Sequence, residues 1–337
     1  VRPPGFGIVS AADIAAQIDA DRPACLEAVR QGYLAHASGN AVNPHSSFLR
    51  LPGHSRDRII ALPAYLGGDF DVAGIKWIAS YPGNVQHGIA RASAVLVLND
   101  MQTGYPYACM EASLISATRT AASAVLAAEA LCGRRSTGRI GFVGTGLIAR
   151  HVHAFFRDLG WDVGGYRCFD LDRTRAEKFA AAAQEDGQRD VEVVEDDAAA
   201  FHGCDVVVLA TVAGEPYLQD PSLLAHKPVV LHLSLRDLAP ELVLSAQNLT
   251  DDPDHAVREK TSLHLAEQQV GDRSFVHGTL AQLLRGEVAR DESRAVVFSP
   301  FGLGVLDLAV GKHVYDRASA GGRVRPVDSF FPEGVAP

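Results

Sequence analysis

Arg139-Ile-Gly-Phe-Val-Gly-Thr-Gly-Leu-Ile-Ala-Arg150, near the middle of a 337-residue chain, decides the fold. Residues 140–143 are an apolar run fit for a short buried strand, Gly144 and Gly146 make a tight turn, and residues 147–159 have helical spacing. In a Gly-x-Gly-x-x-Ala turn the unpaired N–H groups of the helix start point at a pyrophosphate, and the missing side chains let the backbone approach it. Glycines alone also make ordinary strand-to-helix turns. Here a strand precedes the turn, a helix follows, and a second strand at 165–169 leads into the acidic Asp170. That order is the dinucleotide-binding βαβ unit, with the acid placed for a ribose hydroxyl. Residues 1–138 come first, so the substrate apparatus is expected ahead of the nucleotide domain.

Outward from the turn, strands and helices alternate. A helix is expected at 174–183, and strands at 191–194, 205–211, 229–233 and 249–250, which describes a doubly wound parallel sheet. The charged run 173–177 reads as a solvated helix start. Before the turn the pattern differs. Ser10 can cap a helix from Ala11, and 23–36 continues as a second helical stretch. Then 46–51, 59–65, 72–80 and 94–99 are short alternating or β-branched runs, and 99–104 is a hairpin loop leading into 105–111. They predict an antiparallel, meander-like sheet. Residues 112–131 form a long Ala-rich helix, and 134–138 the linker. The fold class expected is α/β, a Rossmann-type doubly wound parallel sheet plus an antiparallel-sheet domain.

Composition narrows the partners. At 47% hydrophobic the chain can bury large cores, and its length suggests two domains. A net charge of −9 and a pI near 5.8 argue against nucleic acid and anionic membranes. The five cysteines, Cys25, Cys109, Cys132, Cys168 and Cys204, never form C-x-x-C and suit a reducing cytoplasm. Histidines lack metal spacing, so no metal is expected; His232 reads as a satisfied core residue. The N-terminus carries no basic-then-apolar signal and no segment approaches 18 apolar residues, so a soluble cytoplasmic protein is expected.

Charged residues stand in apolar settings at Arg50, Lys76, Arg119 and Asp237. A buried charge needs water, a counter-ion or a ligand. Singly, each fits a structural ion pair. Together they match an amino-acid substrate: arginine forks a carboxylate, lysine neutralises it, and an aspartate exchanges protons with the amine or a water.

At these residues the chain resembles the ornithine cyclodeaminase/mu-crystallin family. The likeness rests on Lys76 with Pro82-Gly-Asn84, Leu98-Asn-Asp-Met-Gln-Thr-Gly104, Ser116-Ala-Thr-Arg-Thr-Ala-Ala122, the Gly144–Ala149 turn and Phe301-Gly-Leu-Gly-Val-Leu-Asp307. The phrases Ser80-Tyr-Pro-Gly-Asn-Val85, Gly88-Ile-Ala-Arg-Ala-Ser-Ala94, Pro106-Tyr-Ala-Cys-Met-Glu111, Leu233-Ser-Leu-Arg-Asp-Leu238 and Thr261-Ser-Leu-His-Leu-Ala-Glu267 are similar to one branch. Its members cleave N-(2-amino-2-carboxyethyl)-L-glutamate oxidatively to 2,3-diaminopropionate in siderophore or antibiotic biosynthesis.

The resemblance implies a substrate and dimerisation domain from 1–133 and 310–337, an NAD-binding Rossmann domain from 134–309, and a homodimer joined through antiparallel sheets. It places Arg50, Lys76 and Arg119 on the substrate carboxylate, with Lys76 and Asp237 catalytic and Asp237 transferring the proton. Arg91 and Ser93 join the substrate site; Arg91, and Arg236 with it, could take the distal carboxylates, a surface salt bridge being the other reading of each. Gly144, Thr145, Gly146, Leu147 and Ile148 would hold the pyrophosphate, Asp170 the ribose, and Thr211 and Ser234 further parts of the cofactor. Asp170 favours NAD over NADP, with Arg173 just beyond it. One departure is Phe298-Ser-Pro-Phe-Gly302, where Pro300 replaces a serine common near the nicotinamide. Cyclodeamination of ornithine, another amino-acid or imine reaction, and NAD(P) binding without turnover are the alternatives.

Overall fold

A computed structural model describes residues 4–54 and 57–332. The chain divides into two compact units, residues 1–119 with 303–337, and residues 120–302. The first unit runs β1 (Phe6–Val9), α1 (Ala11–Ala20), α2 (Arg22–Ala37), β2 (Ala41–Val42), β3 (Ser47–Arg50), β4 (Arg58–Leu66), β5 (Val72–Ser80), β6 (Ala92–Asn99) and β7 (Pro106–Glu111). After α3 (Ser113–Cys132) the second unit opens with β8 (Ser136–Val143), α4 (Leu147–Asp158), β9 (Asp162–Phe169), α5 (Arg173–Glu185), β10 (Val191–Val193) and α6 (Asp197–Phe201). It continues through β11 (Val206–Leu209), β12 (Val229–His232), α7 (Pro240–Ser245), β13 (Gln247–Thr250), α8 (Pro253–Ala256) and α9 (Ser262–Val270). It closes with β14 (Val276–Thr279), α10 (Leu280–Leu284) and β15 (Val296–Phe298), and the chain re-enters the first unit as α11 (Gly304–Ala320) and β16 (Arg325–Val327). The sequence-based breaks at 133/134 and 309/310 fall beside and inside helices. Nothing in the composition of α3 or α11 marks the divisions at 119/120 and 302/303.

In the second unit the strand order is β10-β9-β8-β11-β12-β15-β13-β14, with each pairing parallel. β11 and β12 are buried along their whole length, as strands covered on both faces must be. A Cβ at Gly141 would overlap the carbonyl oxygen of Ala200, so glycine is what lets α6 lie this close to β8. β14 and β15 escape sequence reading because they are four and three residues long and carry no alternation. The expected linker at 134–138 is partly strand. β8 begins at Ser136, and Asp205 fastens its start by accepting from Gly138 N at 2.7 Å and Thr137 Oγ1 at 3.2 Å.

The first unit's sheet runs β16-β1-β7-β6-β5-β4-β2, with β3 also on β4. The expected antiparallel meander holds from β4 to β7. It is corrected at the edge, where β1 lies parallel to β7 and antiparallel to β16, partners too remote in sequence to leave a local signal. Strand alternation sorts the side chains. The rung Leu62–Lys76–Leu96–Met110 faces α11, where a Cβ on Gly311 would strike Leu96. The opposite face carries Trp77, Val95 and Ile8 at 42%, 40% and 44% exposure, an apolar surface bare in a single chain.

α3 has the length and hydropathy of a bilayer span, which corrects the reading that no segment comes near one. Its alanines raise the average without long side chains. Ala121, Ala122 and residues 124–128 are fully buried within the protein, as in a core helix.

Candidate active site

In the first unit, β5, α3 and α11 bring three ionic groups together. Lys76 Nζ lies 2.6 Å from Asp307 Oδ2 and donates to Ser116 Oγ at 3.1 Å; Arg119 Nε reaches Asp307 Oδ1 at 3.2 Å. Lys76 and Asp307 are essentially buried, while Arg119 is 11% exposed. Two cations thus share the one Asp307 carboxylate. Burial pulls the Lys76 ammonium down to about 8; Asp307 opposes the shift and Arg119 adds to it. Lys76 can therefore lose its proton in mildly alkaline solution.

The remaining expected substrate residues separate. Arg50 sits exposed at the end of β3, its guanidinium 5.5 Å from the Phe48 ring centroid, and pairs in register with Arg58. Arg91 Nη1 donates to Ser80 Oγ at 2.9 Å. Ser93 pairs with Ala79, three residues beyond Lys76, so alternation puts it on the other face of the sheet from Lys76. It is not brought to this cluster. Arg236, in the second unit, donates through Nε and Nη2 to the Glu259 carbonyl at 3.2 and 2.7 Å.

A second cluster, in the second unit, surrounds Asp237, which is fully buried. Thr211 Oγ1 donates to Oδ1, and Ser234 Oγ to Oδ2 at 2.5 Å. His232 Nε2 lies 3.2 Å from both Oδ2 and the Asp237 amide nitrogen, and its Nδ1 lies 3.1 Å from Ser299 Oγ. A ring protonated at Nε2 donates to the carboxylate; one protonated only at Nδ1 accepts the amide N–H and donates to Ser299. Burial raises the Asp237 carboxyl, but the bonds from His232, Ser234 and Thr211 outweigh it and hold the group below its usual range. Tyr217 also bonds this carboxylate. Its phenol, pushed well up by burial and by Asp237 and Asp197, stays a neutral donor. Thr211 and Ser234, expected as cofactor contacts, are occupied here in fixing Asp237.

The glycine turn joins β8 to α4. Gly144 has φ +86°, and a Cβ there would stand 2.6 Å from Ala210 O. Gly146 is the N-cap of α4, has no side-chain cap and looks onto open space, with nothing within 4 Å of a would-be Cβ. Asp170 Oδ2 accepts from Thr145 N at 2.8 Å and from Thr145 Oγ1 at 3.0 Å, tying the acid to the turn. Leu147 is exposed and Ile148 half-buried at the helix start. Arg173 is held by Glu177 and Glu195.

The model of the ornithine cyclodeaminase/mu-crystallin family matches residues 8–322. The chain belongs to this family. It is 29% identical over 312 residues to an N-((2S)-2-amino-2-carboxyethyl)-L-glutamate dehydrogenase of Staphylococcus aureus, covering 87% of this chain and 89% of that one. The solved structure of an archaeal alanine dehydrogenase dimer with bound NAD is similar at 25% identity and a TM-score of 0.85, over 96% of this chain and 99% of that one. The Δ1-pyrroline-2-carboxylate reductase of Thermococcus litoralis shares the fold, with a TM-score of 0.87 at 24% identity over 96% of this chain and 100% of that one.

Within this family member, sequence reasoning left several residues of the two clusters unassigned. Asp307 carries a signal of its own, a lone carboxylate in the apolar start of α11, beyond its place in the Phe301–Asp307 motif. His232 was read as core, and buried it is, yet it faces Asp237. Ser299, beside Pro300, is its other partner. Tyr217 lies in an irregular stretch with nothing to single it out.

Proposed function

We propose that this protein is an NAD-dependent oxidoreductase that cleaves N-(2-amino-2-carboxyethyl)-L-glutamate to L-2,3-diaminopropionate and 2-oxoglutarate. The observation that carries this reading is the likeness to the S. aureus dehydrogenase along 87% of the chain. The buried cation-rich cluster at Lys76 and Arg119 supports an acidic substrate.

The glycine turn fits a dinucleotide, since Gly146 leaves the uncapped α4 N-terminus open and Gly144 gives the tight bend. Gly144, Thr145, Gly146, Leu147 and Ile148 would hold the pyrophosphate, and Asp170 the adenosine ribose. NAD, when bound, supplies hydride acceptance from the glutamate-side Cα–H, and water hydrolyses the imine that results. Lys76 and Arg119 fix the substrate carboxylate. Asp237, ionised by its donors, accepts a proton from the amine or from the attacking water. His232 can exchange that proton with Asp237 Oδ2. Thr211 and Ser234 hold the carboxylate in place and remain candidates for the cofactor edge.

A homodimer suits the bare apolar face around Trp77, Val95 and Ile8, and the archaeal alanine dehydrogenase relative is a dimer. The deciding assay follows absorbance at 340 nm with NAD+ and N-(2-amino-2-carboxyethyl)-L-glutamate, with L-ornithine, L-alanine and L-glutamate in parallel. NADH and 2-oxoglutarate from the first alone bear the reading out. Turnover of another amino acid instead would discard the substrate and keep the oxidoreductase. Silence throughout, with NAD bound, would leave a non-catalytic dinucleotide binder.

A further inference from the structure

At the carboxyl edge of the parallel sheet, where open α/β sheets place their chemistry, one imidazole is held from two sides. His232 ends β12 and Ser299 follows β15, and these neighbouring strands run in register, Leu231 against Phe298. Ser299 is anchored through its backbone. Its amide donates to Leu249 O at 2.9 Å, and its carbonyl accepts from Thr250 Oγ1 at 2.8 Å. Just beyond, the Asp251 carboxylate accepts from Phe301 N at 3.0 Å and from Gly302 N at 2.6 Å, which pins the turn after Pro300. The Ser299 hydroxyl, on a residue only 2% exposed, therefore meets His232 Nδ1 at a fixed place.

The far side of the ring faces Asp237. The Asp237 amide hydrogen points at Nε2, its one acceptor among the described residues. A buried amide hydrogen left without an acceptor is costly, so the neutral ring keeps Nε2 bare and carries its proton on Nδ1, donated to Ser299. When Nε2 is protonated as well, it donates to Oδ2. Burial raises the Asp237 carboxyl, and that donation is among the bonds that more than offset it. Nδ1 thus stays protonated in both states, while Nε2 gains or loses a proton.

Oxidative cleavage of a secondary amine releases two protons before it returns one. The substrate nitrogen, an ammonium in neutral water, gives up a proton so that its lone pair can form C=N as the Cα–H leaves as hydride to NAD+. Water then adds its oxygen to that carbon and loses a proton in doing so. Collapse of the carbinolamine breaks the C–N bond, and the departing amine takes one proton away. A single carboxylate holds one proton, and Asp237 is fully buried, so bulk water is not at hand to remove the first. Thr211, Ser234 and Tyr217 bring hydroxyl groups to this carboxylate, and His232 brings a basic nitrogen. Ser234 and His232 meet the same oxygen, Oδ2. Ser234 is half-buried and His232 fully buried, so a proton arriving on the Ser234 side can leave on the His232 side.

We propose that His232 is a second proton acceptor for this reaction and that Ser299 is the residue that positions it. Ser299 holds the Nδ1–H, Nε2 takes the first proton from Asp237 Oδ2, and the carboxylate, ionised again, takes the proton of the attacking water. The inference deepens the dehydrogenase reading and rests on it for the reaction, whereas the protonation of the ring can be read without any substrate.

Nitrogen-15 NMR of histidine-labelled protein, with the His232 signals assigned by their loss in His232→Gln, reports which ring nitrogens carry protons. Nδ1 is expected to be protonated in the unmodified protein and in Ser299→Thr. Ser299→Ala should shift the neutral ring towards the Nε2–H form, and Asp237→Asn should move the Nε2 signal while leaving Nδ1 protonated. A ring protonated at Nε2 alone in the unmodified protein overturns the proposal, as does an Nε2 signal indifferent to Asp237→Asn. In a single turnover of N-(2-amino-2-carboxyethyl)-L-glutamate, His232→Gln should form NADH within about threefold of the unmodified rate but release 2-oxoglutarate about 10²-fold more slowly. Ser299→Ala should slow the same second phase to a smaller degree, and Ser299→Thr should restore it. Equal slowing of both phases in His232→Gln, or of neither, overturns the proposal. Should His232→Gln fail to fold, judged by circular dichroism and NAD binding, the Ser299 pair carries the same two-phase test. If the unmodified protein oxidises no amine, the dehydrogenase reading falls by itself. An Nδ1–H ring whose Nε2 follows Asp237 then still upholds the proton-sharing pair, and an Nε2–H ring still overturns it.

Discussion

Lys76 is where one side chain bears most directly on activity. Its ammonium, lowered to about 8, is charged below that pH and can then pair with a substrate carboxylate. Raising the pH through about 8 should therefore lower kcat/KM for an acidic substrate. Lys76→Arg, charged throughout, should abolish that alkaline limb, and Asp307→Asn, which removes the opposing carboxylate, should move it to lower pH; pH–rate profiles read both. The linkage to stability has the opposite sense. Between about pH 8 and the unfolded value of 10.5, the unfolded chain binds the extra proton, so stability rises with pH across that window and the cost of burying the charge is fully felt below it. Asp237→Asn, which retains the shape but cannot accept a proton, should lower kcat by about 10²–10⁴-fold. NAD affinity by fluorescence titration should change little. Full turnover in that variant would remove the proton-transfer role. At this scale Lys76, Arg119 and Asp237 were legible because an ionic residue in an apolar run is conspicuous. The partners of Asp307 and His232 are not legible, because a single charge or imidazole in a motif or a strand does not announce what it meets.

Among the elements, the β8–turn–α4 unit shows how far local chemistry reaches. Gly144 is required twice over, by its φ of +86° and by Ala210 O, and its role at the turn follows from sequence. Gly141 looked like an ordinary strand residue, yet a side chain there would collide with a backbone carbonyl, which cannot swing aside as a side-chain tip can. Gly141→Ala should thus destabilise the second unit by about 1–3 kcal/mol or more, measured by urea unfolding. Gly144→Ala should in addition weaken NAD binding in a fluorescence titration. An unchanged unfolding midpoint for Gly141→Ala would contradict the close α6–β8 approach. The strands β4 to β7 were readable from their alternation, and β5 was bounded correctly at both ends. β1, β14, β15 and β16 were not, since a strand of three or four residues is held by its neighbours, not by its own pattern.

The whole molecule adds what single elements lack, a surface without cover. The Trp77, Val95 and Ile8 face would gain most from a second copy, so Trp77→Glu should shift the protein towards monomer in light scattering, with the far-UV spectrum unchanged. A native protein that is already monomeric at micromolar concentration would remove the expected dimer. The buried cysteines fit a packing role: burial pushes the Cys25 and Cys168 thiols up to about 12 and Cys204 to about 11, leaving little reactive thiolate. By itself the sequence determined the parallel sheet, the glycine turn with its acid, the antiparallel strands and the conspicuous charges, because these depend on periodicity and residue type within a short window. Only the tertiary structure decided that Asp307 divides itself between Lys76 and Arg119, that Thr211, Ser234 and His232 converge on Asp237, and that Ser93 turns away from Lys76. Each of these relations joins separate elements. Strand register and helix placement set such distances, and the summed burial of many side chains fixes them, which no local stretch of chain can specify.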